Sequence, residues 1–313
     1  MSLNRTFLAA AVAAAILPAT AAADVNVYGR LNLTAQYADL GGDNSDGETR
    51  IASHSSRLGV KGSHEFAEGL EAIYQAEFGI DVVDGSDVFS NRNQFIGLKG
   101  GFGTTTIGRR DTALKRSQGK VDQFSDYEGD INALFRGENR ASQQISYATP
   151  TIANLFSAEV TYVAEGDSKQ VDDSGFSVAG MVGDANYKKQ PFYAAVAYDS
   201  KVHDYDVLRV TVGGKIAGFE LGAMYNDQEK VSTGVSYDGF MVSAAYSLGA
   251  TKLKAQYQDA DGSNKFADSG SVYSVGAEHK MSKQLRLNAY YTGTSYDTQD
   301  NDSVFAVGMR YDF

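Results

Sequence analysis

The sequence predicts an all-β protein, a transmembrane antiparallel β-barrel of about sixteen strands with long external loops and short periplasmic turns. Three observations lead there. Apolar and polar residues alternate with a period of two in segment after segment, the signature of strands with two unlike faces. The alternation runs to the last residue: Phe305, Val307, Met309, Tyr311 and Phe313 interleave with Ala306, Gly308, Arg310 and Asp312. The connections between segments alternate long and short, as external loops and periplasmic turns of a membrane barrel do.

Residues 1–23 read as a cleaved secretory signal peptide. Arg5 supplies a positive start, Leu8 to Leu17 an apolar stretch, and Ala21-Ala22-Ala23 a small-residue cleavage site. The apolar stretch is short of the ~20 residues that a membrane-spanning helix needs. Residues 24–313 are then one barrel. The mean hydropathy of -0.31 suits a chain in which half of each strand faces water. With no cysteine, a disulfide scaffold and thiolate chemistry are excluded. The formal net charge is -11, and it becomes -12 when Arg5 leaves with the leader. That balance argues against nucleic acid and anionic head groups as partners.

The strands follow in order at roughly 24–38, 56–66, 70–81, 92–99, 103–110, 142–149, 155–163, 175–186, 191–199, 207–216, 219–227, 239–248, 251–259, 271–280, 285–296 and 303–313. In the first, Val25, Val27, Leu31, Leu33 and Tyr37 oppose Asn26, Arg30, Asn32, Thr34 and Gln36. In the third, Leu70, Ala72, Tyr74, Ala76, Phe78 and Ile80 oppose Glu71, Gln75 and Glu77. Short turns are expected at 67–69, 100–102, 188–190, 217–218, 249–250 and 281–284. Long loops are expected at 39–55, 82–91, 111–141, 164–174, 228–238 and 260–270. Pro150 and Pro191 fall in connections, where a missing backbone donor is tolerated. Aromatics near strand ends, Tyr37, Phe66, Tyr162, Tyr246 and Phe313 among them, suit the interfacial girdles of such barrels.

The polar face carries Arg30, Arg57, Lys61, Glu71, Glu77, Glu159, Arg209, Glu220, Lys252, Lys254, Glu278, Arg286 and Arg310. A dry packed interior could not hold so many charges, so the lumen is expected to be wet. The longest connection, Asp111 to about Ala141, interleaves Asp122, Asp126, Glu128 and Asp130 with Phe124, Tyr127, Ile131, Leu134 and Phe135. Its apolar residues call for a packing surface. That surface is either the barrel interior or neighbouring loops and a partner subunit.

The stretches DVNVYGRL (24–31), SRLGVKG (56–62), FIGLKGGFG (95–103), TIGR (106–109), NRASQQISY (139–147) and the terminal Tyr311-Asp312-Phe313 resemble, in order and spacing, the Gram-negative general diffusion porins. The resemblance implies a trimeric sixteen-stranded barrel whose third loop folds into the lumen. The loop-three acids Asp122, Asp126, Glu128 and Asp130 would then face basic wall residues Arg30, Arg57, Lys61, Arg92 and Arg140 across a constriction. It also implies that Phe313 is an assembly signal read by the barrel-assembly machinery. Alternation independently turns Arg30, Arg57 and Lys61 inward, whereas Arg92 shares the parity of outward Ile96 and Leu98. The Pro-Glu-Phe-Gly motif of many relatives is absent, and Tyr127-Glu128-Gly129 is the nearest local match.

The function expected is passive diffusion of small hydrophilic solutes and ions across the bacterial outer membrane. The net charge suggests weak cation selectivity. Expected partners are a homotrimer's other subunits, outer-membrane lipid and lipopolysaccharide, with no nucleic acid. No cofactor, metal or catalytic residue is expected. His54, His64, His203 and His279 are scattered over outward faces and loops, which argues against a barrel-based enzyme. A substrate-specific channel would show lumen aromatics, of which the pattern offers Tyr28, Tyr193 and Tyr290. An adhesin would have a blocked lumen.

Overall fold

The computed structural model describes residues 24–41, 47–83, 88–170, 173–262, 270–297 and 300–313. The expected signal peptide, 1–23, lies outside the described residues. Among the described residues, seventeen strands form one antiparallel sheet. They are β1 (Asp24–Leu40), β2 (Glu48–Ser53), β3 (Arg57–Ala67), β4 (Leu70–Ile80), β5 (Phe89–Gly100), β6 (Gly103–Asp111), β7 (Arg140–Ala148), β8 (Phe156–Val163), β9 (Gly175–Gly183), β10 (Phe192–Val202), β11 (Tyr205–Ile216), β12 (Phe219–Lys230), β13 (Val235–Leu248), β14 (Thr251–Ala260), β15 (Gly270–Lys280), β16 (Leu285–Tyr296) and β17 (Asp302–Asp312). Pairing of β1 with β17, from Arg30↔Asp312 to Leu40↔Asp302, closes the sheet on itself. Closure satisfies every strand edge, as a bilayer core demands.

β2 and β3 occupy one wall position. Both pair with β1, in the registers Leu33↔Ser53 and Arg30↔Arg57. Three residues, His54 to Ser56, therefore oppose the two residues between Arg30 and Leu33, a bulge at which Ser55 takes φ 50°. Counted this way the wall has sixteen strands, as expected. The expected first loop, 39–55, is corrected: part of it is β2. His54 consequently sits in the wall, not in an external loop, and its Nε2 is 2.7 Å from Thr34 Oγ1.

The long–short rhythm is also corrected in part. External strand ends run further than alternation suggested, so β10 and β11 meet at a two-residue turn, His203-Asp204, and β12 and β13 at 231–234. Both turn residues have positive φ, 54° and 71°, the geometry that matches a hairpin's twist.

The two faces separate cleanly. Val27, Leu31, Ile96, Leu98, Val196, Val275, Phe305 and Met309 stand exposed on the outside, whereas Asn32, Thr34, Gln36, Thr161, Asn226 and Gln258 are buried inside. Outer aromatics pair near strand ends, as Tyr162 with Phe176 (centroids 5.2 Å apart) and Phe219 with Tyr246 (4.6 Å). Phe313 extends the seam: its N–H donates to Gly29 O (3.1 Å) and its carbonyl accepts from Gly29 N–H (2.9 Å). The Phe313 ring lies over the space a Cβ at Gly29 would fill. Gly29→Val is expected to push the ring off the seam at a cost of about 0.5–1 kcal/mol, the worth of a cross-strand pair. A lower denaturant midpoint of the folded barrel checks this.

Candidate functional site

The site is built by the third loop, 112–139, between β6 and β7. Its first arm starts as a short helix, α1 (Ala113–Arg116). Ala113 and Leu114 of α1 pack on Ala179, Ala197 and Val207, inward residues of β9, β10 and β11. Leu114 N–H donates to Ser177 Oγ (2.8 Å), and Tyr193 Oη donates to Ser117 O (2.7 Å). The middle reaches the opposite side, where Phe124 joins Tyr290, Val304 and Ala306 of β16 and β17 and Ala38 of β1. A 3-10 turn, Ile131–Ala133, follows, and Asp130 caps it by accepting from Asn132 N–H at 2.8 Å. Ile131, Leu134 and Phe135 then pack on Met224, Met241, Ala260 and Val272 of β12 to β15. The loop's apolar residues are thus satisfied by the barrel interior. Of the two placements open from sequence, the inward one holds.

Apart from Tyr193 and Tyr290, the receiving residues are not singled out by the sequence reading. Their signal was present nonetheless: Val207, Met224, Met241, Val272 and Val304 are apolar residues on the inward parity of otherwise polar faces.

The return arm is clamped. Arg209 of β11, almost fully buried, donates to Glu138 Oε1 (2.6 Å), Arg136 O (2.7 Å) and Asn226 Oδ1 (2.9 Å). Gly137 sits between two of these partners at φ 102°, and a side chain there would meet Leu114 and Arg209.

What the loop leaves open is a cavity of about 770 Å³. Six basic side chains line it, Arg30, Arg57, Arg92, Lys115, Arg140 and Arg310, with four acidic ones, Asp111, Asp126, Asp130 and Glu138. Asp126, at φ 76° at the loop's tip, meets Arg30 at 3.1 Å and Arg57 at 3.7 Å. Arg92 pairs with Glu77 at 2.7 Å, and Arg140 with Asp111 at 3.0 Å. Arg92 reaches the lumen because of a bulge. Ala76 pairs with Gln94 but Phe78 with Asn91, so Arg92 and Asn93 together oppose Glu77 and parity reverses beyond them.

The other three expected site residues lie elsewhere. Lys61 of β3 places its Nζ 4.9 Å from the centre of the Tyr28 ring, away from this cavity's lining. Asp122 is turned into the loop itself, accepting from Phe124 N–H (2.9 Å), Ile131 N–H (3.2 Å) and Gln256 Nε2 (3.1 Å). Glu128 faces the β1–β2 and β16 wall. It accepts from Tyr290 Oη (2.5 Å) and Gln36 Nε2 (2.7 Å), with Arg50 at 3.8 Å. Lys115, Glu138 and Asp111 line the cavity without having been expected there. They sit at the loop's roots, where no strand alternation reports direction.

Burial, with the Glu138 charge next, raises the Asp130 carboxyl from 3.8 to about 6. Burial and the Asp130 charge likewise push Asp122 well above the usual carboxylate range, against the donors that hold it. For Asp130 the folded form binds a proton more tightly than the unfolded chain. Its stabilising contribution is therefore complete below the free pKa and is lost as pH rises through about 6.

Comparison with known proteins bears on this geometry. A family model described as Gram-negative porin matches residues 9–302. A major outer membrane protein P.IB of Neisseria meningitidis serogroup B is 27% identical over 341 residues, covering 97% of this chain and 98% of its own length. An anion-selective porin from Comamonas acidovorans shares the fold with a TM-score of 0.72 at 17% identity, covering 93% of this chain and 100% of that one. OmpT of Vibrio cholerae, solved in a trimer form, does so with a TM-score of 0.71 at 19% identity, covering 94% and 100%.

Proposed function

The chain belongs to the Gram-negative porin family, and from that premise we propose that the cavity beside loop three is its permeation constriction. The family role is passive diffusion across the bacterial outer membrane, without enzymatic chemistry. The observation that carries the proposal is the cavity lining: charged side chains from β1, β3, β5, β7 and β17 facing the tip and roots of one inward loop. A hydrated solute crossing there is filtered by width and by the local field. Arg30, Arg57, Arg92 and Arg140 are the basic wall of this constriction, with Asp126 and Asp130 as its loop-three acids. Asp122 and Glu128 hold the loop's shape, and Lys61 guards the wall below Tyr28.

Weak cation selectivity was expected from the net charge of the whole chain. The lining points the other way, since basic side chains outnumber acidic ones around the cavity beside loop three. We therefore assign a weak anion preference. A general rather than solute-specific channel is supported by Tyr193 and Tyr290, whose hydroxyls are taken up by loop-three contacts. Planar-bilayer recording in a salt gradient tests both points. Stepwise conductance with an anion-signed reversal potential is expected; no conductance would remove the channel reading.

Lowering the pH from about 7 to about 5 is expected to protonate Asp130 and move the reversal potential further toward anions. Asp130→Asn should remove that part of the shift. If the variant and the parent titrate alike, Asp130 is not in the ion path.

A cleaved leader, residues 1–23, exports the chain, and Phe313 is the residue by which the barrel-assembly machinery recognises it. The assembled form is a homotrimer embedded in outer-membrane lipid and lipopolysaccharide. The family relation and the trimer form of the Vibrio cholerae protein support the trimer.

A further inference from the structure

A second cavity, about 210 Å³, lies on the other flank of loop three, between Lys120–Tyr127 and the inner faces of β14 to β17. Its acids are already engaged. Glu278 pairs with Arg286 at 3.0 Å, Asp126 with Arg30 at 3.1 Å, and Asp122 accepts from two backbone N–H groups and Gln256. Three of its bases are engaged as well, Arg286 in that same pair with Glu278, Lys252 with Glu220 at 2.7 Å and Arg310 with Asp312 at 2.9 Å. Lys254 differs. Its Nζ stands 4.9 Å from the centre of the Phe124 ring and 5.6 Å from that of Tyr127, and among the described residues it makes no ion pair. Ring faces attract an ammonium without cancelling its charge, whereas a carboxylate would neutralise it. The loop's own aromatics thus hold a lysine in place with its charge unspent, and Lys120, also without an ion pair among the described residues, opens on the same space.

We infer that this flank is a binding subsite for a small oxyanion, the phosphate or carboxylate group of a passing solute, with Lys254 as its principal ligand and Lys120 as the second. The cavity is smaller than the ~300–1,000 Å³ that takes a whole drug-sized molecule, so it takes one anionic group while the rest of the solute stays in the lumen. Such a station gives an anionic solute a resting point beside the main cavity, and the two share Ser125, Asp126, Tyr127 and Arg310. The inference rests on the channel reading above, and its test separates the two.

The probe is inorganic phosphate, added at constant ionic strength to single channels carrying chloride. A saturable fall in chloride conductance is expected for the parent protein. Lys254→Met should conduct chloride while raising the half-blocking phosphate concentration roughly tenfold, the loss of one charge-assisted hydrogen bond. Lys254→Arg should retain the block. Lys120→Met should weaken it, and serves if Lys254→Met yields no channels. Lys188→Met, in an exposed periplasmic turn, should leave it unchanged. A conducting parent without a saturable phosphate effect, or an equal block in Lys254→Met, overturns the subsite alone. A parent that passes no current overturns the channel reading, and the subsite with it.

Discussion

Replacing Arg209 with methionine is expected to free the return arm of loop three and give channels of larger, noisier conductance. The guanidinium is almost wholly buried and joins three acceptors: the Glu138 carboxylate, the Arg136 carbonyl and the Asn226 amide oxygen. Methionine fills similar volume but donates nothing. Removing one partner of a buried pair costs about 3–5 kcal/mol. The lower end applies here, because Glu138 keeps some exposure and has Lys115 at 3.9 Å. The loss falls on the loop and not on the barrel, whose strand ladder does not pass through Arg209's side chain. Arg209→Lys keeps the charge but cannot reach three acceptors in one plane, so it should restore only part of the parent's quiet current. Unchanged conductance and noise in Arg209→Met would mean that loop three is held by its apolar contacts alone.

The double change Arg30→Gln, Arg57→Gln is expected to abolish the anion preference and bring the reversal potential close to zero. It makes basic and acidic side chains of the cavity equal in number. It also releases Asp126, whose recorded ion pairs are with these two arginines. Arg92 is the wrong choice for this test, since its loss would remove the ion-pair partner, at 2.7 Å, of the buried Glu77 carboxylate and leave it the Tyr28 hydroxyl as donor. Charges in a narrow, partly desolvated passage act more strongly than at an open surface. The shift should therefore persist in high salt better than any effect of the external loops.

Much of the wall was legible because a membrane barrel writes its geometry at period two. Val27, Leu31, Phe305 and Val307 against Asn32, Thr34, Arg310 and Asp312 show both faces of the seam directly. What escaped were places where the period breaks. The bulge at His54–Ser56 cuts β2 from β3 and leaves Glu48–Ser53 too short to register. The bulge at Arg92-Asn93 reverses the parity of a residue that lines the cavity. In loop three the difficulty is of another kind. Asp122 and Asp126 are the same residue type four positions apart. One accepts from its own loop's backbone and the other faces two arginines, a distinction set by the turn at Phe124–Tyr127 and invisible to composition. The preference proposed from the cavity lining differs from that expected from composition for a related reason: net charge sums the external loops, whereas ions respond to the few groups within a Debye length of the path.

The chain has no cysteine, so one introduced thiol can be addressed alone. Ser125 is exposed at the loop's tip and lines both cavities. Ser125→Cys, reacted with a bulky charged methanethiosulfonate reagent, should lose most of its single-channel conductance and regain it on reduction. Full modification confirmed by mass with conductance unchanged would contradict the account, because current would then be passing somewhere other than the constriction beside loop three.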